Sequence, residues 1–230
     1  MNNLIINQLS VKYNNLLVLD SLNLKVKEGE FVAVVGQSGC GKTTLLNAIA
    51  GFIKFKGSIK KPEKIGFVFQ NYAVFPWLSV KGNISFGLKK NNKTVKHYLK
   101  MTGLNNKGEN YSYELSGGQI QRVAIARALA ANPDLILMDE PFGALDIYTR
   151  DKMQKWLLDI WQKERKTIVF VTHSIDEAIY LSDRVFVLKN KIIKKEFKIE
   201  FGRPRSEDIK FYKRFIELKR LLRDLSKTTQ

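Results

Sequence analysis

A glycine-rich stretch near the N-terminus has the residue types that bind phosphate. Residues 36–43, GQSGCGKT, match the pattern G-x-x-x-x-G-K-[ST]. Glycines let backbone N–H groups turn inward around phosphate oxygens, the lysine adds a positive charge, and the threonine hydroxyl can hold Mg²⁺. A simple glycine turn is the disfavoured alternative, because a strand-like run precedes the stretch and a helix-like run follows it. The predicted nucleotide contacts are Gly36, Gln37, Ser38, Gly39, Cys40, Gly41, Lys42, Thr43 and Thr44, with Lys42 also a catalytic candidate and Thr43 a metal ligand.

Two adjacent acids follow an apolar run in LILMDEPFGALD. Asp139 ends the run, where a carboxylate can meet the Mg²⁺ held by Thr43. Glu140 comes next and points elsewhere, so it is free to accept a proton from an attacking water. The alternative is a pair of acids that cap a strand-to-loop turn. Because the same chain carries a phosphate loop, we predict that Asp139 is a metal ligand and that Glu140 is the general base.

A second glycine motif lies in the middle of the chain. Gly117 and Gly118 stand just before a helix-like run in YELSGGQIQRVAIARALA. A helix N-terminus carries partial positive charge and unsatisfied N–H groups, and it therefore attracts anions. The sequence thus predicts two anion-binding positions in one chain.

Four short apolar runs predict buried strands that position these residues. They cover residues 30–36, 64–70, 134–140 and 167–173. Three of them end in a polar residue, namely Gln70, Glu140 and His173. Ligands of open parallel sheets bind beyond the carboxyl ends of the strands, so this pattern indicates one shared site. A lone histidine is more often structural, and the position of His173 alone leaves both roles open.

The remaining segments complete an α/β fold. Residues 42–51 predict a helix that stops at Gly51, and residues 71–133 predict a helical subdomain inserted into the sheet domain. Residues 184–200 predict a closing hairpin. Residues 206–227 predict a basic amphipathic helix that packs on its own domain, with a membrane surface or a partner as the alternative. We predict one domain over residues 1–230, of the P-loop NTPase type, with a mostly parallel sheet core, an antiparallel β part and an inserted helical subdomain.

Composition limits the class of protein. The 230 residues are 44% hydrophobic, enough for a sizeable core, and no apolar run approaches the length of a membrane span. The N-terminus lacks the pattern of a signal peptide, and the single Cys40 excludes an internal disulfide framework. A net charge of +17, from 39 basic and 22 acidic residues, favours anionic partners, although many of the lysines simply solvate the surface.

Taken together, these motifs resemble those of the ATP-binding subunits of ATP-binding cassette (ABC) transporters. The matching elements occur in the order of that family, and Tyr13 stands where the family places an aromatic residue that stacks on adenine. They are the phosphate loop, Gln70, the LSGGQ signature at residues 115–119, LILMDEP at 135–141, ALD at 144–146 and His173.

The resemblance implies a shared active site and a set of partners. Two chains pair head to tail, and each MgATP lies between the phosphate loop of one chain and the signature of the other. The signature contacts are Ser116, Gly117, Gly118 and Gln119. Gln70 contacts Mg²⁺ and the attacking water, His173 contacts the γ-phosphate and Asp146 links the two chains. The implied partners are a membrane-spanning permease and, indirectly, an extracytoplasmic substrate-binding protein, so the chain is expected to lie peripherally on the cytoplasmic side of the membrane.

The sequences of residues 69–88 and 201–206 most resemble those of importers for nitrate, sulfonates and taurine. Importers of thiamine precursors have similar sequences in these segments. The segment 89–113 looks shortened. The net charge permits a soluble ABC-type ATPase that acts on DNA or ribosomes, but the single short cassette and the apolar VFPWLSV stand against it, and no nucleic acid is expected. A module without turnover is disfavoured by the complete set of catalytic candidates. Phe75, Pro76 and Trp77 are predicted to line the docking groove for the permease, the alternative being burial of Trp77 in the helical subdomain.

Overall fold

The computed structural model describes residues 3–88 and 92–227. The strands and helices alternate along most of the chain, as in α/β proteins. Two of the short 3₁₀ helices follow α3, and a third precedes α7. The main elements are β1 (Leu4–Tyr13), β2 (Leu16–Val26), β3 (Phe31–Val35), α1 (Lys42–Ala50), β4 (Lys56–Lys60), β5 (Ile65–Val68), α2 (Val80–Ser85), α3 (Asn92–Thr102), α4 (Gly117–Ala130), β6 (Leu135–Asp139), α5 (Ile147–Glu164), β7 (Thr167–Thr172), α6 (Ile175–Leu181), β8 (Arg184–Lys189), β9 (Ile192–Lys198) and α7 (Lys213–Ser226).

The chain divides into two compact units, and the first comprises Met1–Glu63 and Lys166–Gln230. It contains an antiparallel sheet in the order β2-β1-β4. It also contains β3 between β7 and β8, parallel to both, with β9 antiparallel to β8. Every residue of β3 and β7 is buried, and the rings of Phe31 and Phe170 meet edge to face at 6.1 Å. This unit therefore has an apolar core formed by strands that are buried on both faces.

The second unit comprises Lys64–Arg165. Strands β5 and β6 pair in parallel, and β6 is fully buried. Helices α2 to α5 supply the rest of the unit, and the Tyr98 hydroxyl of α3 donates to the carbonyl of Leu129 in α4 at 3.0 Å. Burial, with a smaller contribution from Glu164, raises the pKa of Tyr98 to about 12. Between 71 and 133, the described residues contain helices and loops, with a single isolated bridge that joins Ser79 to Tyr111.

Most predicted elements agree with the observed ones. Each of the four predicted strands contains an observed strand that is one to three residues shorter. The predicted hairpin is present as β8 and β9, and Gly51 ends α1 in a left-handed conformation with φ 87°. The predicted fold class is thereby confirmed: parallel strands, an antiparallel sheet and helices. Of the segment that looked shortened, residues 89–91 lie outside the described part of the chain.

The C-terminal tail differs from the single predicted helix. A 3₁₀ helix covers Glu207–Phe211, and Tyr212 is extended with ψ 140° before α7 begins. The break lets two separate turns bury Ile209 and Phe215, which one continuous helix would present on different faces. Helix α7 packs within its own unit through Phe215, Leu218 and Leu222. In the described part of the chain, no helix has the length and apolar character needed to cross a bilayer.

Candidate functional site

The predicted phosphate loop connects β3 to α1 in the first unit. Gly41 caps α1 with φ 107°, a left-handed conformation that favours glycine, and a Cβ there would lie 2.8 Å from Leu19. The cap offers no side-chain acceptor to the first turn of the helix. The buried Lys42 ammonium donates to the carbonyls of Gly36 and Gln37, both at 3.0 Å. The loop therefore curls around its own lysine, which puts the positive charge inside the loop.

His173 lies at the same edge of the first unit as the loop. Val35 of β3 pairs in parallel with Thr172 of β7, so Gly36 and His173 directly follow paired residues. The Thr172 hydroxyl donates to the Glu177 carboxylate at 2.6 Å and accepts the Ser174 N–H at 3.0 Å. This pair holds the turn that carries the exposed His173. Glu177 was not predicted from the sequence, because this buried residue is distinguished only by its place in the first turn of α6.

The other residues of the first unit occupy the loop and its surroundings. At the start of α1, Thr43 is exposed and Thr44 is half-buried. In the loop itself, Cys40 is half-buried, and the exposed residues are Gln37, Ser38 and Gly39. Tyr13 ends β1 opposite Leu16 and is 45% exposed, so its ring is accessible to a ligand.

In the second unit, Gln70 and the two acids lie at one strand edge. Val68 of β5 pairs in parallel with Met138 of β6, so Gln70 and Asp139 follow closely after paired residues. Asp139 is buried, and Glu140 is half-buried with φ 41°. A left-handed backbone is costly for a glutamate and is found where a site requires a particular direction of the side chain. This strain at Glu140 was not predictable from a pattern of residue types.

The loop after Gln70 is held firmly. Tyr72 and Ala73 both have positive φ, and the Arg127 guanidinium donates to their carbonyls at 3.3 and 2.7 Å. Burial lowers the pKa of Arg127, whose guanidinium also lies 4.9 Å above the ring of Phe75. This role of Arg127 was not predicted from the sequence, because an arginine inside a helix is not distinguished by any local pattern.

The signature residues begin α4 in the second unit. Ser116 and Gly117 are exposed and Gly118 is buried. The Ser116 N–H donates to the Gln119 side chain at 3.0 Å, which satisfies a donor at the helix start. Asp146 precedes α5 and caps it in the opposite sense, with its carboxylate accepting the Thr149 N–H at 3.0 Å. Hydrogen bonds from the side chain and the backbone of Thr149 lower the pKa of Asp146.

A glycine-rich loop that surrounds a buried lysine and leads into a helix is the phosphate-binding loop of a P-loop ATPase. The chain matches the ABC transporter family over residues 19–143, and it belongs to that family. It is a transporter ATP-binding subunit, which binds ATP and couples ATP hydrolysis to transport.

Two curated relatives and one solved structure illustrate the similarity. The chain is 50% identical over 210 residues to an uncharacterized ABC transporter ATP-binding protein of Methanocaldococcus jannaschii, covering 84% of this chain and 79% of the relative. It is 46% identical over 187 residues to the aliphatic sulfonates import ATP-binding protein SsuB of Bacillus cereus, covering 76% and 74%. A dimeric ATP-binding cassette in a post-hydrolysis state, bound to ADP and Pi, is 34% identical with a TM-score of 0.74, covering 86% of this chain and all of that one.

Proposed function

We propose that this chain is the ATP-hydrolysing subunit of an importer for a small organic anion of the sulfonate type, and that it works as a head-to-tail pair of copies. The observation that carries the proposal is the presence of two different glycine-lined helix starts, at Gly41 in the first unit and at Ser116 in the second. The first is a loop that encloses charge, whereas the second is an exposed helix end with room for a ligand on one side. A phosphate loop in one copy and a helix end in the other would together enclose one nucleotide.

The roles of the individual residues follow from their chemistry. Lys42 neutralises charge on the outer phosphates, and Tyr13 stacks on the base. Thr43 and Asp139 offer the hydroxyl and carboxylate oxygens that Mg²⁺ prefers, with Gln70 as a further oxygen ligand. Bound Mg²⁺ would supply positive charge that offsets the charge of the phosphates. His173 contacts the γ-phosphate through its exposed ring, on the turn that Thr172 and Glu177 stabilise.

Glu140 is the proposed general base. Glu140 has a left-handed backbone and is half-buried, whereas Asp139 is buried, and this difference in environment supports different functions for the two carboxylates. Glu140→Gln keeps the shape and removes the basic group, so turnover should fall by at least about a hundredfold while ATP remains bound. Unchanged turnover per bound ATP, together with weaker ATP binding, would contradict the role of Glu140 as a base.

The shared site is tested with two inactive variants. Lys42→Ala disables the phosphate loop, and Ser116→Arg disables the signature. A mixed pair contains one site in which both halves are intact, so mixing the two proteins should restore ATP-dependent dimers in size-exclusion chromatography without Mg²⁺. If both motifs instead act on one nucleotide in one chain, no mixture recovers anything, and the head-to-tail arrangement is wrong.

The aromatic loop after Gln70 is the proposed contact for the membrane-spanning permease. Trp77 is 70% exposed and Phe86 55%, and the ring of Phe75 lies 5.3 Å from Trp77 and 4.4 Å from Phe86. The structure thus contradicts the alternative of a buried Trp77. The buried Asn83 side chain accepts the Phe75 N–H at 2.9 Å and donates to three carbonyls of the loop. A rigid exposed aromatic cluster of this kind is typical of a protein contact site.

The remaining parts of the proposal concern the membrane and the substrate. With a permease as partner, the chain would lie peripherally on the cytoplasmic side of the membrane, and residues 71–133 would act as the subdomain that contacts the permease. The similarity to the sulfonate import protein supports a sulfonate-type substrate. Co-expression with its permease and binding protein, followed by reconstitution in vesicles, should show ATPase activity stimulated by an alkanesulfonate. Stimulation by a thiamine precursor or by nucleic acid, and not by an alkanesulfonate, would show that the proposed substrate class is wrong.

A further inference from the structure

A closed ring of hydrogen bonds surrounds the turn that carries His173. The Thr172 hydroxyl donates to the Glu177 carboxylate at 2.6 Å and accepts the Ser174 N–H at 3.0 Å. The Ser174 hydroxyl in turn accepts the Glu177 N–H at 3.4 Å. We call Thr172, Ser174 and Glu177 the turn ring. Thr172 is 1% exposed and Glu177 5%, so the ring joins the buried end of β7 to the start of α6 and leaves His173 exposed.

The turn ring fixes the peptide groups on both sides of His173. The peptide before it includes Thr172, which pairs in parallel with Val35 of β3. The peptide after it includes the Ser174 N–H, which donates to the Thr172 hydroxyl. A threonine side chain has few rotamers, and a hydroxyl that gives its one proton to Glu177 turns its lone pairs toward Ser174. Glu177 thus sets the direction of the Thr172 hydroxyl, and through it the direction in which the turn presents His173.

Stability alone does not explain a buried carboxylate in this turn. Removing a carboxylate from water is unfavourable unless hydrogen bonds compensate, and an apolar side chain of similar size would avoid that penalty. Asp176, one residue earlier, shows the usual arrangement, because its side chain is 42% exposed and pairs with Lys219 of α7 at 2.7 Å. The carboxylate of Glu177 supplies what an apolar side chain cannot, namely an acceptor that orients the Thr172 hydroxyl.

We propose that Thr172 and Glu177 are positioning residues that hold His173 where it distinguishes ATP from ADP. This inference rests on the proposed contact between His173 and the γ-phosphate, which is the phosphate that ADP lacks. A displacement of about 1 Å at a reacting group lowers a rate by up to about a hundredfold. Disruption of the turn ring should therefore slow hydrolysis, which needs the γ-phosphate, and leave the affinity for ADP unchanged.

The test measures the turnover number, kcat, for MgATP hydrolysis and the dissociation constant of ADP in variants of the full chain. Thr172→Val keeps the shape but removes the hydroxyl, so kcat should fall about tenfold. Glu177→Gln replaces the carboxylate with a neutral acceptor, and kcat should fall about threefold, because charge-assisted hydrogen bonds are about twice as strong as neutral ones. Thr172→Ser keeps the hydroxyl and should retain most of the activity. Asp176→Asn, which removes the neighbouring carboxylate, is the matched control and should hydrolyse ATP like the parent.

A double-mutant cycle separates positioning from a general effect on the fold. His173→Ala removes the side chain that the ring positions, so adding Thr172→Val to it should lower kcat no further. Thermal melts establish that each variant is folded at the assay temperature. Glu177→Gln, which keeps the shape of the glutamate, carries the test if Thr172→Val does not fold.

Four results would overturn the inference. The first is parent-like kcat in both Thr172→Val and Glu177→Gln. The second is a loss of ADP affinity that parallels the loss of kcat, which shows general damage to the nucleotide site. The third is an equal loss on adding Thr172→Val to His173→Ala, and the fourth an equal loss in Asp176→Asn. If His173→Ala itself hydrolyses ATP like the parent, the proposed γ-phosphate contact fails, and the positioning role fails with it.

Discussion

Replacing Gly118 with alanine is the sharpest available test of how the signature helix is held. The added Cβ would lie 2.7 Å from the Thr149 methyl carbon, whereas packed carbon atoms normally approach to about 3.5–4.0 Å. Thr149 lies in the first turn of α5 and its β-branched side chain has few alternative rotamers, so we expect the two helix starts to move apart. Overpacking of this kind costs about 1–3 kcal/mol. Alanine recovers about 0.5–1 kcal/mol over glycine within a helix, which leaves a net loss of about 1 kcal/mol.

Urea denaturation measures this loss. With a slope of about 2 kcal/mol per molar, a loss of about 1 kcal/mol lowers the midpoint by about 0.5 M. Thr149→Ser removes the clashing methyl group, so the double variant should recover most of the loss, a coupling of about 1 kcal/mol in a double-mutant cycle. Gly117→Ala is the control, since its Cβ would make an ordinary 3.6 Å contact with Leu145.

Two results would refute the reasoning. Equal stability of Gly118→Ala and the wild type would mean that the helices relax without cost. A double variant that is no more stable than Gly118→Ala alone would mean that Thr149 is not the obstacle. ATPase activity distinguishes a requirement for glycine in helix packing from a requirement in ligand binding. If the stable double variant is still inactive, then the ligand itself requires the absence of a side chain at Gly118.

Three further predictions follow from individual side chains. The buried Arg205 donates to the carbonyls of Ile179, Tyr180 and Ser182 at 2.8–2.9 Å. Arg205→Met should therefore lower the free energy of unfolding by about 2–4 kcal/mol and lower the melting temperature, and a variant as stable as the wild type would contradict this. Trp77→Ala should abolish transport in the reconstituted importer yet leave basal ATPase and the melting temperature unchanged, whereas coupled transport at the normal rate would exclude the permease contact. A maleimide should modify the half-buried Cys40 and inhibit the ATPase, and MgATP should slow the labelling; equal rates with and without nucleotide would show that the loop is not the occupied site.

Local glycine and strand signals explain why much of the candidate site was predictable from sequence. A glycine that ends a helix in a left-handed conformation can be predicted from the local sequence alone. Both Gly41 and Gly51 lie where the sequence places the ends of α1. Buried parallel strands are continuous apolar runs, so the residues that follow them are found by counting. The positions of Gln70, Asp139 and His173 at strand edges follow from this alone.

The features that were not predictable depend on contacts between distant residues. The exposure of Trp77 is set by Asn83, which binds the loop carbonyls from the next helix, and no local pattern of residues distinguishes this loop from one folded inward. The break at Tyr212 arises because Ile209 and Phe215 are both buried, although the amphipathic pattern permits an unbroken helix. The free-energy differences in helix propensity are small in comparison with the free energy of burying these side chains, so tertiary packing determines where the helix breaks.

The two glycine motifs differ in a way that bears on why one chain needs both. The phosphate loop places the Lys42 ammonium inside a ring of backbone groups, so it can surround an anion from several sides. The signature helix offers only its end: Gln119 occupies the Ser116 N–H, and the partial charge of a helix N-terminus is about half an elementary charge. Exposed to water, such an end contributes about 0.3–1 kcal/mol, too little to hold a nucleotide by itself. Its effect becomes large only when water is excluded, as it would be if the exposed helix start at Ser116 were covered by a second copy that brings its own nucleotide. If the proposed head-to-tail pair forms, binding of ATP by the signature and association of the two chains are therefore coupled equilibria.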